Sequence, residues 1–464
     1  MAQSPFRRYN PADRQGFDPA RPFAYDASTT LLAETPTEAQ KPVVTAPRWL
    51  GWPQLYQHLE ARLASEKVRR LNWWRHWGEI ARFQLPRRYH AFVTENDYNR
   101  GIRRDGQILN DTPTLDGQTC AGGIMTVCTD PDRQWLKLGL PPGIELDRSG
   151  QMFIDDLTER LRYIQDETNF YESLSQYYED LVFFGTGVAV DIEDHENIFV
   201  SQNPCAGEFC LASGADEDTQ ALYVEERRTI SHIVEQFGLE NCPASIQGMW
   251  AQKGGALESE QLVGHAIEPN FAINGDDTAV GQLPGHFAWR EIYWIVGKSD
   301  QAPLSVAGFH EKPFAASQWH RQSNDPYGRG PGSTVLGDSI ELQLLESRKA
   351  ELTEKMARPP WVAPVGLKNE PHSIRPDEVT YYDAVDGAPQ MKPIYVPDPR
   401  GLQALEASIQ YVEQRIHRGF HADLFRMIQE ISERPGQKTA TEIDALREER
   451  LMQLGPVIGR TYRY

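Results

Sequence analysis

Three side chains in the last quarter of the sequence could bind a metal ion. Glu413, His417 and His421 are spaced four residues apart, so a helix would present one carboxylate and two imidazoles on a single face. Zinc accepts these ligands, but the glutamate that follows the first histidine in an H-E-x-x-H motif is absent. A metal-dependent hydrolase is therefore kept as an alternative, and we expect these histidines to lie in solvent or at a subunit contact.

Two glycine-containing segments share letters with phosphate-binding loops. GKS stands at 297–299, but Ile292 occupies the position where a P-loop requires glycine. Gly328, Gly330 and Gly332 form G-x-G-x-G, without the strand, helix and downstream acid of a dinucleotide site. We predict a turn at a strand end for the first segment and a flexible turn before a helix for the second. Since no G-x-S-x-G elbow occurs either, the sequence predicts no enzyme, no cofactor and no metal site.

The overall charge limits the partners of the protein. Lysine and arginine number 47 against 66 aspartates and glutamates, a formal net charge of −19, which excludes a uniformly basic nucleic-acid-binding protein. The five cysteines form no C-x2-C pair, so we expect them to be reduced and buried. No apolar stretch approaches the ~18 residues of a membrane span, and the N-terminus lacks the apolar segment of a secretion signal. We expect a soluble protein without membrane contact.

Hydrophobic periodicity divides the chain into parts. Residues 1–48 are rich in proline, alanine and threonine, and they are predicted to form an extended arm. Residues 49–336 combine helical patterns with short alternating segments, which predicts one α+β unit. The predicted strands are GVAVDI (187–192), NIFVSQ (197–202), ALYVEER (221–227), WREIYWIVG (289–297) and LSVAGF (304–309).

Two stretches of the mixed unit have unusual composition. Residues 115–128 are small and apolar, which is typical of a buried helix whose neighbours approach closely. Between residues 155 and 180, eight acids accompany two bases. We interpret these acids as a solvated helix face, and the alternative is a negatively charged surface directed at DNA.

The last third of the chain is predicted to be mainly helical. An apolar stripe ends at the Arg358-Pro359-Pro360 stop, and a longer one with spacings of 3 and 4 spans about eight turns, or ~45 Å. A small proline-rich insert separates the two helices. The first stripe comprises Leu342, Leu345, Leu352 and Met356, and the second comprises Leu402, Leu405, Ile409, Val412, Ile416, Phe420, Leu424, Ile428 and Ile431.

The segment YGRGPGSTVLGDSIELQLLESRKAELTEKMARPPW at 327–361 resembles the signature of tailed-phage portal proteins. The head-to-tail connectors of short-tailed, podovirus-like phages are the most similar group. Segments 85–140, 177–194 and 415–460 resemble the same family in the same order. The resemblance therefore extends over about residues 50–460.

This resemblance implies a portal-protein fold that assembles as a ring, usually of twelve subunits. Family members usually continue past the LGPV segment into a crown, so we expect the crown to be absent or truncated here. The implied parts are the wing (49–336), two stem helices (337–358 and 399–431), the clip (359–398), the tunnel loop (432–438) and a helix leading toward the crown (439–464).

The implied function is a channel at the unique capsid vertex, through which double-stranded DNA is packaged and ejected. The implied partners are other copies of the chain, the terminase large subunit, tail adaptors, the major capsid and scaffolding proteins, and DNA without sequence preference. The location would be the virion, after synthesis in the bacterial cytoplasm. A tail or adaptor ring that bridges head and tail without lining DNA is the alternative.

Two sets of residues are candidate sites under this interpretation. Arg434 and Lys438 of the tunnel loop are expected to touch DNA phosphates without reading sequence. A stripe of four apolar residues is expected to be buried between helices of neighbouring subunits, so Ile416→Asp should block ring formation. This stem-packing stripe consists of Ile409, Val412, Ile416 and Phe420.

Overall fold

The computed structural model contains both helices and β-sheets, as the α+β prediction requires. Apart from isolated positions, the described residues are 52–92, 105–140, 147–194, 198–214, 218–270, 287–298, 301–323, 325–359, 361–362, 392–393 and 398–426. The predicted N-terminal arm, most of the predicted clip, and the predicted tunnel loop lie outside these ranges. No helix within them is long and apolar enough to cross a membrane.

Four helices open the described part of the chain. The first is α1 (Trp52–Gln84), which a 3-10 turn follows at Pro86–Phe92. The others are α2 (Thr112–Cys128), α3 (Arg148–Glu167) and α4 (Phe170–Phe184). An Asp147 carboxylate oxygen accepts a hydrogen bond from the Gly150 amide and so caps the start of α3.

Eight strands follow and form two antiparallel sheets. The strands are β1 (Thr186–Asp194), β2 (Ile198–Gln202), β3 (Phe209–Ser213), β4 (Thr219–Thr229), β5 (Glu260–Pro269), β6 (Trp289–Ile295), β7 (Ser305–Phe309) and β8 (Phe314–Gln318). Their orders are β2-β1-β8 and β3-β4-β5-β6-β7. Helices α5 (Ile230–Phe237) and α6 (Ala244–Gln252) lie between β4 and β5 in the chain.

The five predicted strands are confirmed, and three further strands were missed. β3 is buried at four of its five positions, so it lacks the alternation that indicates a half-buried strand. β5 contains Gly264, where an added Cβ would lie 2.5 Å from the Trp294 ring. A glycine inside a strand interrupts the apolar pattern by which a strand is recognised in the sequence. Here it also lets the Trp294 side chain come close.

The five-stranded sheet is buried on both faces. Alternate residues of β4 belong to different clusters: Leu222 and Val224 contribute to the main core, whereas Ala221 and Tyr223 face the beginning of α1. The main core also contains residues of α2, α4 and the small sheet. This alternation follows from the two-residue period of a strand.

The glycine-rich segment at 328–332 packs backbone against backbone on the end of α4. Gly185 terminates α4 with φ of 79°, in the left-handed region. A Cβ on Gly330 would lie 2.5 Å from the Val182 carbonyl oxygen, and one on Gly328 would lie 2.5 Å from that of Gly185. The segment is therefore a buried close contact rather than the flexible turn that the sequence predicted, because glycine here supplies space for neighbouring backbone.

Two long helices follow this segment and form a hairpin. After the short α7 (Pro331–Thr334), α8 spans Leu336–Ala357 and α9 spans Pro399–Gly419. Beyond α8, β9 (Trp361–Val362) pairs antiparallel with β10 (Lys392–Pro393), which closes the base of the segment between the helices. We call α8 and α9 together the hairpin.

Candidate functional site

The predicted stem-packing stripe is buried inside the protein's own chain. Ile409, Val412, Ile416 and Phe420 are each at most 4 % exposed and belong to the main core. That core includes Val335, Leu336 and Leu342 at the start of the hairpin. The prediction placed these four residues between subunits, and this must be corrected: an apolar stripe indicates which helix face is buried but not which chain buries it.

The second predicted stem helix is also shorter than expected. It was predicted to run without interruption to residue 431, but α9 ends at Gly419, and His421 has φ of 57°. A residue with positive φ departs from helical backbone geometry, so it interrupts the helix. The interruption places Phe420 in the core against Phe183 of α4, and the chain turns helical again at 422–426.

Asp116 of α2 connects the two sides of this interruption. Its buried carboxylate accepts hydrogen bonds from His417 Nδ1 before the break and from Arg426 Nη2 after it, the latter at 2.6 Å. Burial raises the pKa of Asp116, and the hydrogen bond and charge of His417 together with the Arg426 charge oppose that rise. The contact fixes the direction in which the chain leaves the hairpin.

Asn110 ties the loop before α2 to both helices of the hairpin. Its side-chain Nδ2 donates to Glu346 Oε1 of α8 at 3.2 Å and to Glu413 Oε1 of α9 at 2.9 Å. Gln343 strengthens the same contact by binding the backbone of Asn110. Its Oε1 accepts from the backbone N–H of Asn110 at 3.0 Å, and its Nε2 donates to the backbone carbonyl of Asn110 at 2.7 Å. These bonds position the hairpin on the α+β unit that precedes it (49–336), which we call the mixed domain.

The outer surface of the hairpin remains partly apolar. Ile340 and Leu344 of α8 are 40 % and 54 % exposed, and Tyr411 of α9 is 62 % exposed. Arg415 crosses between the helices, where its Nη2 lies 3.0 Å from Asp338 Oδ1 and its guanidinium lies over the Tyr411 ring. This patch is available for contact with another molecule.

The three potential metal ligands do not converge. Glu413 accepts from Asn110, and His417 binds Asp116. Burial lowers the pKa of His421, and the charge of His320 lowers it further. In the part of the chain that the structure describes, no group of three or more histidine, cysteine or acidic residues could hold a metal.

Other sequence predictions have separate outcomes. The GKS segment at 297–299 begins in the turn that follows β6, with Gly297 at φ of 81°. The five cysteines are buried and form no disulfide, as predicted. Arg434 and Lys438 lie outside the described residues, so their contact with DNA stays a prediction.

The sequence patterns did not indicate the polar residues that join the hairpin to α2 and to the loop before it. Asp116 lies among the small residues of α2 and Asn110 in the loop before it, while their partners lie about 300 positions away. The small residues of α2 did indicate that neighbouring elements approach this helix closely. Gly117 gives space to the Phe183 ring and Gly123 gives space to Phe425, so the predicted close approach to this helix is confirmed.

Comparisons with known proteins cover almost the whole described region. Residues 56–463 match the family described as "Bacteriophage head to tail connecting protein". The chain is 32 % identical over 406 residues to the portal protein of Salmonella phage epsilon15, covering 87 % of this chain and 71 % of that protein. It is 31 % identical over 408 residues to the probable portal protein of Bordetella phage BPP-1, with the same coverage of 87 % and 71 %.

Proposed function

This chain belongs to the family of bacteriophage head-to-tail connecting proteins, and we propose that it is the portal protein of a short-tailed phage. The observation that carries the proposal is the extent of the match, which runs from α1 through the mixed domain and the hairpin to residue 463. Two relatives, each matched over 87 % of this chain, are named portal protein and probable portal protein. As a portal protein it is a structural component of the virion.

We propose that the working form is a closed ring, usually of twelve copies in this family. A head-to-tail ring needs two different surfaces on each copy, because each subunit contacts its two neighbours through unlike faces. The exposed patch of Ile340, Leu344 and Tyr411 on the hairpin supplies apolar area for such a contact. The buried stripe holds each hairpin to its own mixed domain and is not needed between subunits.

The ring would surround DNA during packaging and ejection. A conduit must hold DNA without binding it tightly, since each phosphate contact by lysine or arginine adds salt-dependent affinity. The net charge of −19 per chain supports a channel that repels DNA over much of its surface. Arg434 and Lys438 are the proposed exceptions and would touch phosphates without reading sequence.

The proposed parts follow the fold. The mixed domain at 49–336 corresponds to the wing, α8 and α9 to stem helices within 337–358 and 399–431, and the segment at 359–398 to the clip. The β9–β10 pairing closes the clip at its base. We propose that the clip first docks the terminase motor and then tail adaptors, while the wing contacts capsid and scaffolding proteins.

Imaging of purified full-length protein by electron microscopy tests the proposal. We expect rings with a central hole, and complementation of a phage that lacks its portal gene should restore DNA-filled heads. Rings that bridge heads and tails while heads fill with DNA in their absence would instead support the adaptor alternative. Protein that stays monomeric and fails to complement would contradict the portal function.

Deletion of residues 365–392 tests the role of the clip. The deletion keeps β9 and Pro393 but removes Lys392, the other residue of β10. We expect the wing to fold and DNA packaging to be lost because the motor cannot dock. Packaging at the parental level would contradict the assignment of the clip.

A further inference from the structure

Helix α3 exposes much of its apolar surface. Met152, Phe153 and Tyr163 are 65 %, 62 % and 65 % exposed. Among the buried positions of this 20-residue helix are Thr158 and Gln165, which are polar. A soluble protein seldom leaves a row of large apolar side chains in water unless another molecule covers them.

The same surface of α3 carries negative charge. Glu159 and Asp166 are exposed and form no ion pair with any residue in the described ranges. Asp156, in contrast, is already matched by Arg160 at 2.9 Å within the helix. The two acids that follow Met152 at steps of seven residues are therefore among the unmatched charges of the helix.

Helix α1 carries the complementary surface. Val68 is 74 % exposed and Leu71 is 44 % exposed, and exposed Arg75 and Arg82 follow Val68 at steps of seven. Neither arginine forms an ion pair with a residue that the structure describes, whereas Arg69 is matched by Glu66 at 3.1 Å. Seven residues are nearly two helical turns, so each series stays on one face of its helix.

The two series match in spacing and oppose in sign. Aligned in parallel, Val68 would face Met152, Arg75 would face Glu159, and Arg82 would face Asp166. Glu79, the exposed acid between the two arginines, would fall opposite Tyr163 rather than an acid. The matched stretches are of similar length, about 21 Å at 1.5 Å per residue.

We propose that α3 of one copy docks against α1 of a neighbouring copy through these two faces. The proposal rests on the ring of the proposed function, and a second copy is the occupant because both complementary faces belong to this chain. The apolar residues supply the area, and the two ion pairs set the register and direction of the contact. Two different faces meet, as a closed head-to-tail ring requires.

Charge reversal in the full-length protein tests the pairing. We would make Glu159→Arg with Asp166→Arg, Arg75→Glu with Arg82→Glu, and all four together. Each double variant should raise the protein concentration needed for half-assembly about tenfold at low salt, and the fourfold variant should return to within about threefold of the parent. The matched control is Glu240→Arg with Glu258→Arg, two exposed acids outside both helices, which should assemble as the parent does.

Cross-linking tests the proximity directly. Val68→Cys subunits mixed with Met152→Cys subunits should form covalent oligomers with a bismaleimide that spans about 10 Å, near the distance between packed helices. Either variant alone should stay uncross-linked, since the native cysteines are buried.

Three outcomes would overturn the contact. They are double variants that assemble like the control, a fourfold variant no better than the doubles, and no cross-link in the mixture. If these occur while the parent forms rings, the docking proposal fails and the portal function stands. A parent that stays monomeric overturns both.

Discussion

The Phe420 ring at the end of α9 meets the Phe183 ring of α4 nearly edge to face, with centroids 5.6 Å apart and planes at 62°. Both rings are fully buried. Because Phe420 stands where α9 is interrupted, this contact joins the hairpin to the mixed domain within one copy. The proposed stem is therefore anchored to the mixed domain of its own copy.

Phe420→Ala should weaken this anchor strongly. Loss of a buried phenylalanine removes apolar contacts and leaves a cavity, which typically lowers the free energy of unfolding by about 3–5 kcal/mol. Denaturant unfolding at a concentration where rings are dissociated would measure the change. Tyr411→Ala on the exposed side of α9 is the control and should change this free energy by less than about 0.5 kcal/mol. Equal effects would mean that Phe420 does not hold the hairpin.

Gly330→Ala tests the close contact between the glycine-rich segment and α4. The new methyl group would lie 2.5 Å from the Val182 carbonyl oxygen and 2.9 Å from that of Leu181, and backbone atoms cannot rotate away. We expect destabilisation of about 1–3 kcal/mol in thermal or denaturant unfolding.

The matched control is Gly337→Ala in the first turn of α8, where the added methyl group would meet nothing within 4 Å. This change should leave stability unchanged or raise it by up to about 1 kcal/mol, since alanine favours helix. Similar losses in both variants would argue against the steric explanation.

Asp180 should make the stability of the protein depend on pH. Burial raises the pKa of this carboxyl to about 7 although Arg88 Nη2 lies 3.6 Å away. In the unfolded chain the group has an ordinary pKa near 3.9. Between these values the folded state binds the proton and the unfolded state does not, so this group lowers stability as pH rises from about 4 to about 7.

Asp180→Asn should remove this decline in the free energy of unfolding, which is on the order of a few kcal/mol between about pH 4 and about pH 7. Unfolding free energies measured at several pH values would give the slope. Glu172→Gln, on an exposed position of the same helix, should keep the parental slope. An unchanged slope in Asp180→Asn would mean that the group is ionised in the folded protein throughout this range.

Arg434→Glu with Lys438→Glu tests the proposed DNA contact. We expect rings to assemble normally and DNA to be packaged more slowly or retained less well, because two favourable phosphate contacts per subunit become repulsive. The control exchanges the residues, Arg434→Lys with Lys438→Arg, and should package as the parent does, since the contact needs charge and reads no sequence. Parental packaging by the charge-reversed rings would show that these residues do not engage DNA.

Local spacing in the sequence determined much of the secondary structure. The stripe that includes Leu342 and Leu352 predicted a helix that stops at Arg358-Pro359-Pro360, and α8 spans Leu336–Ala357. The small residues at 115–128 predicted the close approach that Gly117 provides. Such features depend on neighbours three or four positions apart, or on alternation by two, and the sequence contains this information directly.

Tertiary structure decided which surface each pattern contacts. The stripe containing Ile416 is buried by its own chain, and the periodic helix is interrupted at Phe420 because that ring enters the core. Asp116 and His417 meet although 301 positions separate them, and the apolar side of α3 is left exposed. Periodicity shows that a helix has an apolar face, but only the three-dimensional path of the chain determines whether its own core or another molecule covers that face.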